Sequence, residues 1–158
     1  MLTSAPPPPI PRANNSHAQP HDEKKMHANI NVAMLNINEL ATPLSNMSFI
    51  DKWSMIKTTL NKYKITILAL QETHLDQEML DSILANFGTK MTVVFSSHPT
   101  APQSTAGVAF IINKSLIKPQ KIFTHELFAG HALYLEVKWL DTEVTTLINI
   151  YCMGFFVI

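Results

Sequence analysis

Ile65-Thr66-Ile67-Leu68-Ala69-Leu70-Gln71-Glu72-Thr73-His74 decides how this chain folds. Six consecutive apolar or β-branched residues run straight into a Gln-Glu-Thr-His cluster. A run that is apolar on both faces predicts a strand covered on both sides, inside a sheet. A carboxylate does not stay deep in such an interior without a partner, because its desolvation is costly. Glu72 therefore belongs at the strand's carboxyl end, at the mouth of the sheet, where a cation or a donor reaches it. A solvated glutamate opening the next loop gives the same local pattern, so the company Glu72 keeps has to decide.

Outward from this strand, Ile30, Val32, Met34 and Leu35 followed by Asn36-Ile37-Asn38 read as a strand ending in two amides on the same side. Pro43 and Ser45 break the chain and cap a helix over residues 46–62, with Ile50, Trp53, Ile56 and Leu60 on one face. A second helix spans residues 76–87, with Asp76 as cap and Gly88 as stop. Its inward residues are Met79, Leu80, Ile83, Leu84 and Phe87. Strands are predicted over residues 91–96, 106–113, 121–126, 131–139 and 144–151, with Pro99 and Pro102 in the first connection. Glu136 and Lys138 alternate with apolar neighbours, as on a half-exposed strand. Strand-helix-strand-helix followed by strands predicts an α/β fold: a mixed sheet faced by two helices.

The totals bound the function. The 158 residues make about one domain, and 46% hydrophobic against 15% charged residues describe a globular protein. Twelve basic and twelve acidic side chains leave a formal net charge of +0, against a strong nonspecific hold on nucleic acid. Arg12 is the single arginine, so phosphate contacts in the body fall to lysines, amides, hydroxyls or a metal. One cysteine, Cys152, excludes an internal disulfide and makes a reducing, intracellular compartment the default, the nucleus included. Residues 1–26 read as a disordered Pro-rich leader. Pro6 to Pro9, Pro11 and Arg12 favour polyproline II, but Ile10 occupies a place that an SH3 ligand needs for proline. No signal peptide and no run of membrane-spanning length is present.

Asn36, Asn38, Glu72 and Tyr151 each fall at or just past a predicted strand end. Parallel strands gather their carboxyl ends on one rim, where open α/β sheets bind ligands. A carboxylate beside amide oxygens suits Mg²⁺, which keeps several waters and takes one or two protein carboxylates. Each residue also has a plain reading, with Asn as turn former, Glu as surface and Tyr151 as core aromatic.

Leu35-Asn36-Ile37-Asn38, Leu70-Gln71-Glu72-Thr73-His74-Leu75, Ala106-Gly107-Val108-Ala109-Phe110 and Leu147-Ile148-Asn149-Ile150-Tyr151 occur in this order. The series resembles the endonuclease/exonuclease/phosphatase family, which includes DNase I and the apurinic endonucleases. More particularly, it is similar to the endonuclease domain of LINE-type (non-LTR) retrotransposon proteins. The resemblance covers residues 30–151 and implies a partial DNase I-like α/β sandwich over residues 27–151, with residues 152–158 an unrelated apolar tail. It implies Asn36 at the metal and phosphate site, Asn38 as an amide near the metal, and Glu72 as the metal-ligand glutamate. It further implies Tyr151 as the catalytic contact to the scissile phosphate, and Thr73 and His74 within the DNA- and phosphate-binding block. The reaction implied is Mg²⁺- or Mn²⁺-dependent cleavage of DNA. In the family the metal polarises the phosphoryl group, an aspartate orients water and a histidine stabilises developing charge.

The departures shape the expectation. Glu39 stands where the family usually has glycine, and no Asp-x-Asn or Asp-His occurs in the chain. Of the seven histidines, His17, His21 and His27 lie in or near the leader, His98 in a proline loop, and His125 and His131 flank a turn as polar surface. The reading is therefore the amino-terminal half of an endonuclease, inactive alone, as from a decayed element or a frame run into noncoding sequence. One sheet is expected to keep its inner face bare, its partner sheet being encoded beyond the end, and to self-associate there. The alternatives are a non-catalytic interaction module using that face, or a phosphatase of the same fold.

Overall fold

The computed structural model describes residues 30–37, 48–140 and 143–152. Its order is β1 (Val32–Asn36), α1 (Phe49–Lys62), β2 (Ile67–Gln71), α2 (Gln77–Phe87), β3 (Met91–Ser96), β4 (Val108–Asn113), β5 (Lys121–Phe128), β6 (Ala132–Leu140) and β7 (Glu143–Ile150). The fold is α/β, as expected from the sequence, with two helices and two sheets. A four-stranded sheet runs β1-β2-β4-β3 and a three-stranded sheet runs β5-β6-β7.

Why β2 and β4 are apolar on both faces follows from what lies on each side. Leu68 and Leu70 of β2 and Ala109 and Ile111 of β4 point to the helices, meeting Trp53, Ile56 and Leu60 of α1 and Ile83 and Phe87 of α2. Ile67, Ala69, Val108, Phe110 and Ile112 point the other way, against Leu133, Leu135, Val137 and Trp139 of β6. Each fully buried Leu, Ile or Phe contributes on the order of 1.5–3 kcal/mol, so this double-sided burial dominates the stability of the domain.

That second layer corrects one expectation. The inner face of the four-stranded sheet is not bare: β5–β7 cover it. Alternating strands that could have extended the first sheet stack on it instead, because their apolar side matches the free face of β2 and β4.

The helices are set by their caps. Ser48, not Ser45, caps α1: its hydroxyl accepts from the Asp51 backbone N–H at 3.2 Å, and the Asp51 carboxylate accepts from the Ser48 N–H at 3.2 Å. This reciprocal box starts the helix at Phe49, three residues later than the proline break suggests; residues 43–46 lie outside the described residues. Asp76 caps α2 by accepting from the Met79 N–H at 2.8 Å. That bond and a second from the Gln103 side chain hold the Asp76 carboxyl below its ordinary range. Gly88 closes α2 in right-handed rather than left-handed geometry, its N–H donating to the Leu84 carbonyl. Leu84 is exposed rather than inward, because the Met79-Ile83-Phe87 stripe already faces the sheet.

Topology then makes a rim. β1 and β2 are parallel, with Asn36 level with Gln71, so their carboxyl ends coincide. β4 runs antiparallel to β2, which brings its amino end, Val108, to Gln71. Ser96 at the end of β3 is level with Val108.

Candidate active site at the sheet rim

Two loops face each other on this rim. Among the described residues four non-glycine positions have positive φ, and three of them meet here: Glu72 (55°), His74 (47°) and Ala106 (54°). Gly107 joins them at 98°. Left-handed geometry is unfavourable for side chains with a Cβ, and its clustering marks a site held against local preference. The loops hold each other: Thr73 N–H donates to the Gly107 carbonyl (3.1 Å) and His74 N–H to the Ala106 carbonyl (3.4 Å). With this left-handed pair ahead of it, β4 starts at Val108 rather than Ala106.

The turn aims the Glu72 carboxylate across the rim. Asn36 Nδ2 donates to Glu72 Oε1 at 2.9 Å, so the ends of two parallel strands share one polar contact. The Tyr151 hydroxyl, arriving from the end of β7, lies near enough to the same carboxylate for its charge to be felt there. The structure thus brings Asn36, Glu72 and Tyr151 together. Asn38 lies outside the described residues. Thr73 Oγ1 is buried without a hydrogen-bond partner and packs towards Gly107, so its hydroxyl is not presented with Glu72. The His74 side chain lines a pocket of about 350 Å³ next to Glu72, with Lys52, Trp53 and Gln103 on its walls.

Tyr151 is held by Asn149 and Gln71, from two of the quoted motifs, through contacts that neither motif shows locally. Asn149, only 2% exposed, donates through Nδ2 to the Leu70 carbonyl (2.8 Å) and the Ala109 carbonyl (3.1 Å), tying β7 to both central strands. Gln71 Nε2 donates to the Ile150 carbonyl at 2.7 Å and to Asn149 Oδ1 at 3.3 Å. His131 stacks on the Tyr151 ring at 6.0 Å and 10°, its Nδ1 is 3.2 Å from the Tyr151 carbonyl oxygen, and its own carbonyl accepts from the Tyr151 N–H at 2.7 Å. His131 is therefore half-buried support for the site and not plain surface. The β5–β6 turn returns it to the rim, a long-range placement with no local sequence signal.

Burial first, and then the Glu72 carboxylate, raise the Tyr151 hydroxyl above the ordinary tyrosine value of 10.0. Folding thus favours the protonated phenol. The associated stability is complete below the unfolded value and is lost as pH rises through the folded one. We expect an NMR titration of the tyrosine rings to show one ring ionising above the others, and Glu72→Gln to bring it down without restoring it fully, because burial remains. A Tyr151 titration indifferent to Glu72→Gln would show that the two groups do not meet.

Among the described residues no cluster of three or more His, Cys, Asp or Glu side chains is placed to hold a metal. Among the described residues the site offers the Glu72 carboxylate and the Asn36 amide, fewer ligands than a closed structural cage needs. It fits a hard cation that keeps most of its water.

No family model matches the chain, and no curated protein matches it. Among solved structures it is similar to D. rerio TDP2 complexed with single strand DNA product, at 14% identity and a TM-score of 0.48, over 75% of this chain and 44% of that one. It is also similar to a beta hairpin deletion mutant of beta toxin from Staphylococcus aureus, at 13% identity and a TM-score of 0.43, over 77% of this chain and 50% of that one. The chain spans half or less of the length of these two proteins.

Proposed function

We propose that this chain carries the metal- and phosphate-binding rim of a DNase I-like, Mg²⁺-dependent DNA endonuclease of retrotransposon type, in a form that does not cut DNA alone. One observation carries the reading: two parallel strand ends deliver Asn36 and Glu72 to hydrogen-bond contact, and Tyr151 reaches the same carboxylate. In this reading Glu72 is the carboxylate ligand, Asn36 orients it, and the Tyr151 hydroxyl, kept protonated, donates to a phosphate oxygen. Asn38 is a further amide beside the ion. His74 approaches the phosphate from the adjoining pocket, and Thr73 sets the turn. A bound Mg²⁺ or Mn²⁺ supplies charge that polarises the phosphodiester. The sequence has no Asp-x-Asn and no Asp-His to orient water or steady the leaving group, and members of such a set act as a unit.

Two measurements test this. Mn²⁺ should bind weakly, broadening the NMR signals of Asn36, Glu72 and Tyr151, and Glu72→Gln should weaken that binding by roughly tenfold or more. Supercoiled plasmid with Mg²⁺ should stay intact. Equal Mn²⁺ binding by both proteins would remove the metal reading, whereas nicking that disappears in Glu72→Ala would remove the inactive one.

A further inference from the structure

We infer that the outer face of the three-stranded sheet is where two copies of this chain associate, an inference independent of the chemistry at Glu72. An antiparallel sheet with one face in water alternates apolar inward with polar outward. Only the middle strand obeys, presenting Tyr134, Glu136 and Lys138 outward and burying Leu133, Leu135, Val137 and Trp139. The flanking strands do not. Phe123 on β5 is 55% exposed, and on β7 Val144, Ile148 and Ile150 are 52%, 55% and 55% exposed.

The register sets these side chains in rows. Lys121, Lys138 and Val144 stand abreast; the next row is Phe123, Glu136 and Thr146; the third is His125, Tyr134 and Ile148. Charged side chains interrupt the first two rows, but a fourth row of Phe128, Ala132 and Ile150 adjoins Tyr134 and Ile148, and an apolar patch of this kind marks an interaction site rather than scattered exposure.

The charges on the face indicate the occupant. Lys121 and Lys138 lie directly opposite each other, an arrangement that destabilises a sheet left in water. Glu136, one row away, is the carboxylate of the same face and accepts a hydrogen bond from Tyr134 at 2.9 Å. The face therefore carries both halves of a charge pair at neighbouring rows. An isologous contact repeats each pairing twice, so Lys138 of one copy meets Glu136 of the other and the reverse. A formal net charge of +0 leaves no long-range repulsion between copies. A strongly cationic partner would be repelled by Lys121 and Lys138, and a strongly anionic one by Glu136.

Sedimentation velocity of the full chain, from low to high micromolar concentration, should show mass moving from one chain to two. Phe123→Glu and Ile148→Lys should each raise the dimer Kd by roughly tenfold or more while leaving the circular dichroism and melting unchanged, since both side chains point out. Glu136→Lys alone should weaken association, and Glu136→Lys with Lys138→Glu should restore it. Met34→Lys, on the exposed β1 edge, should change nothing. A monomer at every concentration overturns the inference. So does association abolished by Met34→Lys and indifferent to Ile148→Lys, or a single-stranded oligonucleotide held by the monomer and released by Lys121→Glu.

Discussion

Gly107→Ala should cost about 3 kcal/mol or more of folding stability and displace the Glu72 turn with it. Two separate effects add at this position. The backbone sits at φ 98°, where any residue with a Cβ is strained. A Cβ there would also lie 2.6 Å from Thr73 Oγ1 and 3.0 Å from the His74 backbone nitrogen. Neither neighbour retreats freely, because Thr73 N–H is bonded to the Gly107 carbonyl and His74 N–H to the Ala106 carbonyl. The double variant Thr73→Ala, Gly107→Ala separates the two effects: it should recover the contact part and keep the φ part. Thr73→Val alone should be close to neutral, since the hydroxyl it removes is buried without a partner. Urea unfolding of the parent, Thr73→Ala, Gly107→Ala and the double variant measures this cycle. If Gly107→Ala lost less than about 1 kcal/mol, the two loops would have to be far softer than their mutual bonds suggest.

The same position shows how far the sequence can be read. Glycine in Ala106-Gly107-Val108 is visible as a turn residue, but Glu72 does not announce a left-handed backbone, and His74, of a type enriched there, does so only weakly. The rim itself was legible. A run apolar on both faces ending at Glu72, and a strand ending at Asn36, already imply that parallel strands would gather the two ends. The hydrogen bond between them agrees with that implication. What the sequence could not separate was extension from stacking. Leu133, Leu135, Val137 and Trp139 alternate identically whether β6 prolongs the first sheet or lies across it. Only the free face of β2 and β4, a tertiary fact, chooses. The support of Tyr151 was hidden for a related reason. Gln71 and Asn149 are 78 residues apart, and nothing local to either reports their meeting. The start of α1 was legible and misassigned. Ser48 and Asp51 stand at capping-box spacing, and that box, not the Pro43-Ser45 break, sets the boundary.

The largest effect of all should come from Asn149→Asp, and its sign with pH is the useful part. The side chain is almost wholly enclosed, and Nδ2 gives both of its protons to backbone carbonyls, those of Leu70 and Ala109. Aspartate is nearly the same shape but, when ionised, has only acceptors to set against those two oxygens. Burying that charge with only the long bond from Gln71 Nε2 (3.3 Å) to meet it costs several kcal/mol. The group therefore takes up a proton to stay folded, and its folded pKa rises above the unfolded value of about 3.9. A raised pKa contributes stability that is complete below the unfolded value and is lost as pH rises through the folded one. Relative to the unsubstituted protein, Asn149→Asp should thus be least harmed near pH 4 and unfold towards neutrality. The Asp76 carboxyl acts in the opposite sense: held below its ordinary range, it stabilises above that range and weakens as pH falls. The comparison is consequently made at matched pH, as a difference between variant and parent in urea midpoint. Asn149→Ala serves as the uncharged reference, with a loss of about 3 kcal/mol from two stranded carbonyls that should not depend on pH. Should Asn149→Asp and Asn149→Ala fall by the same amount at both ends of the range, the amide does not join the two sheets, and Tyr151 would owe its place beside Glu72 to something else.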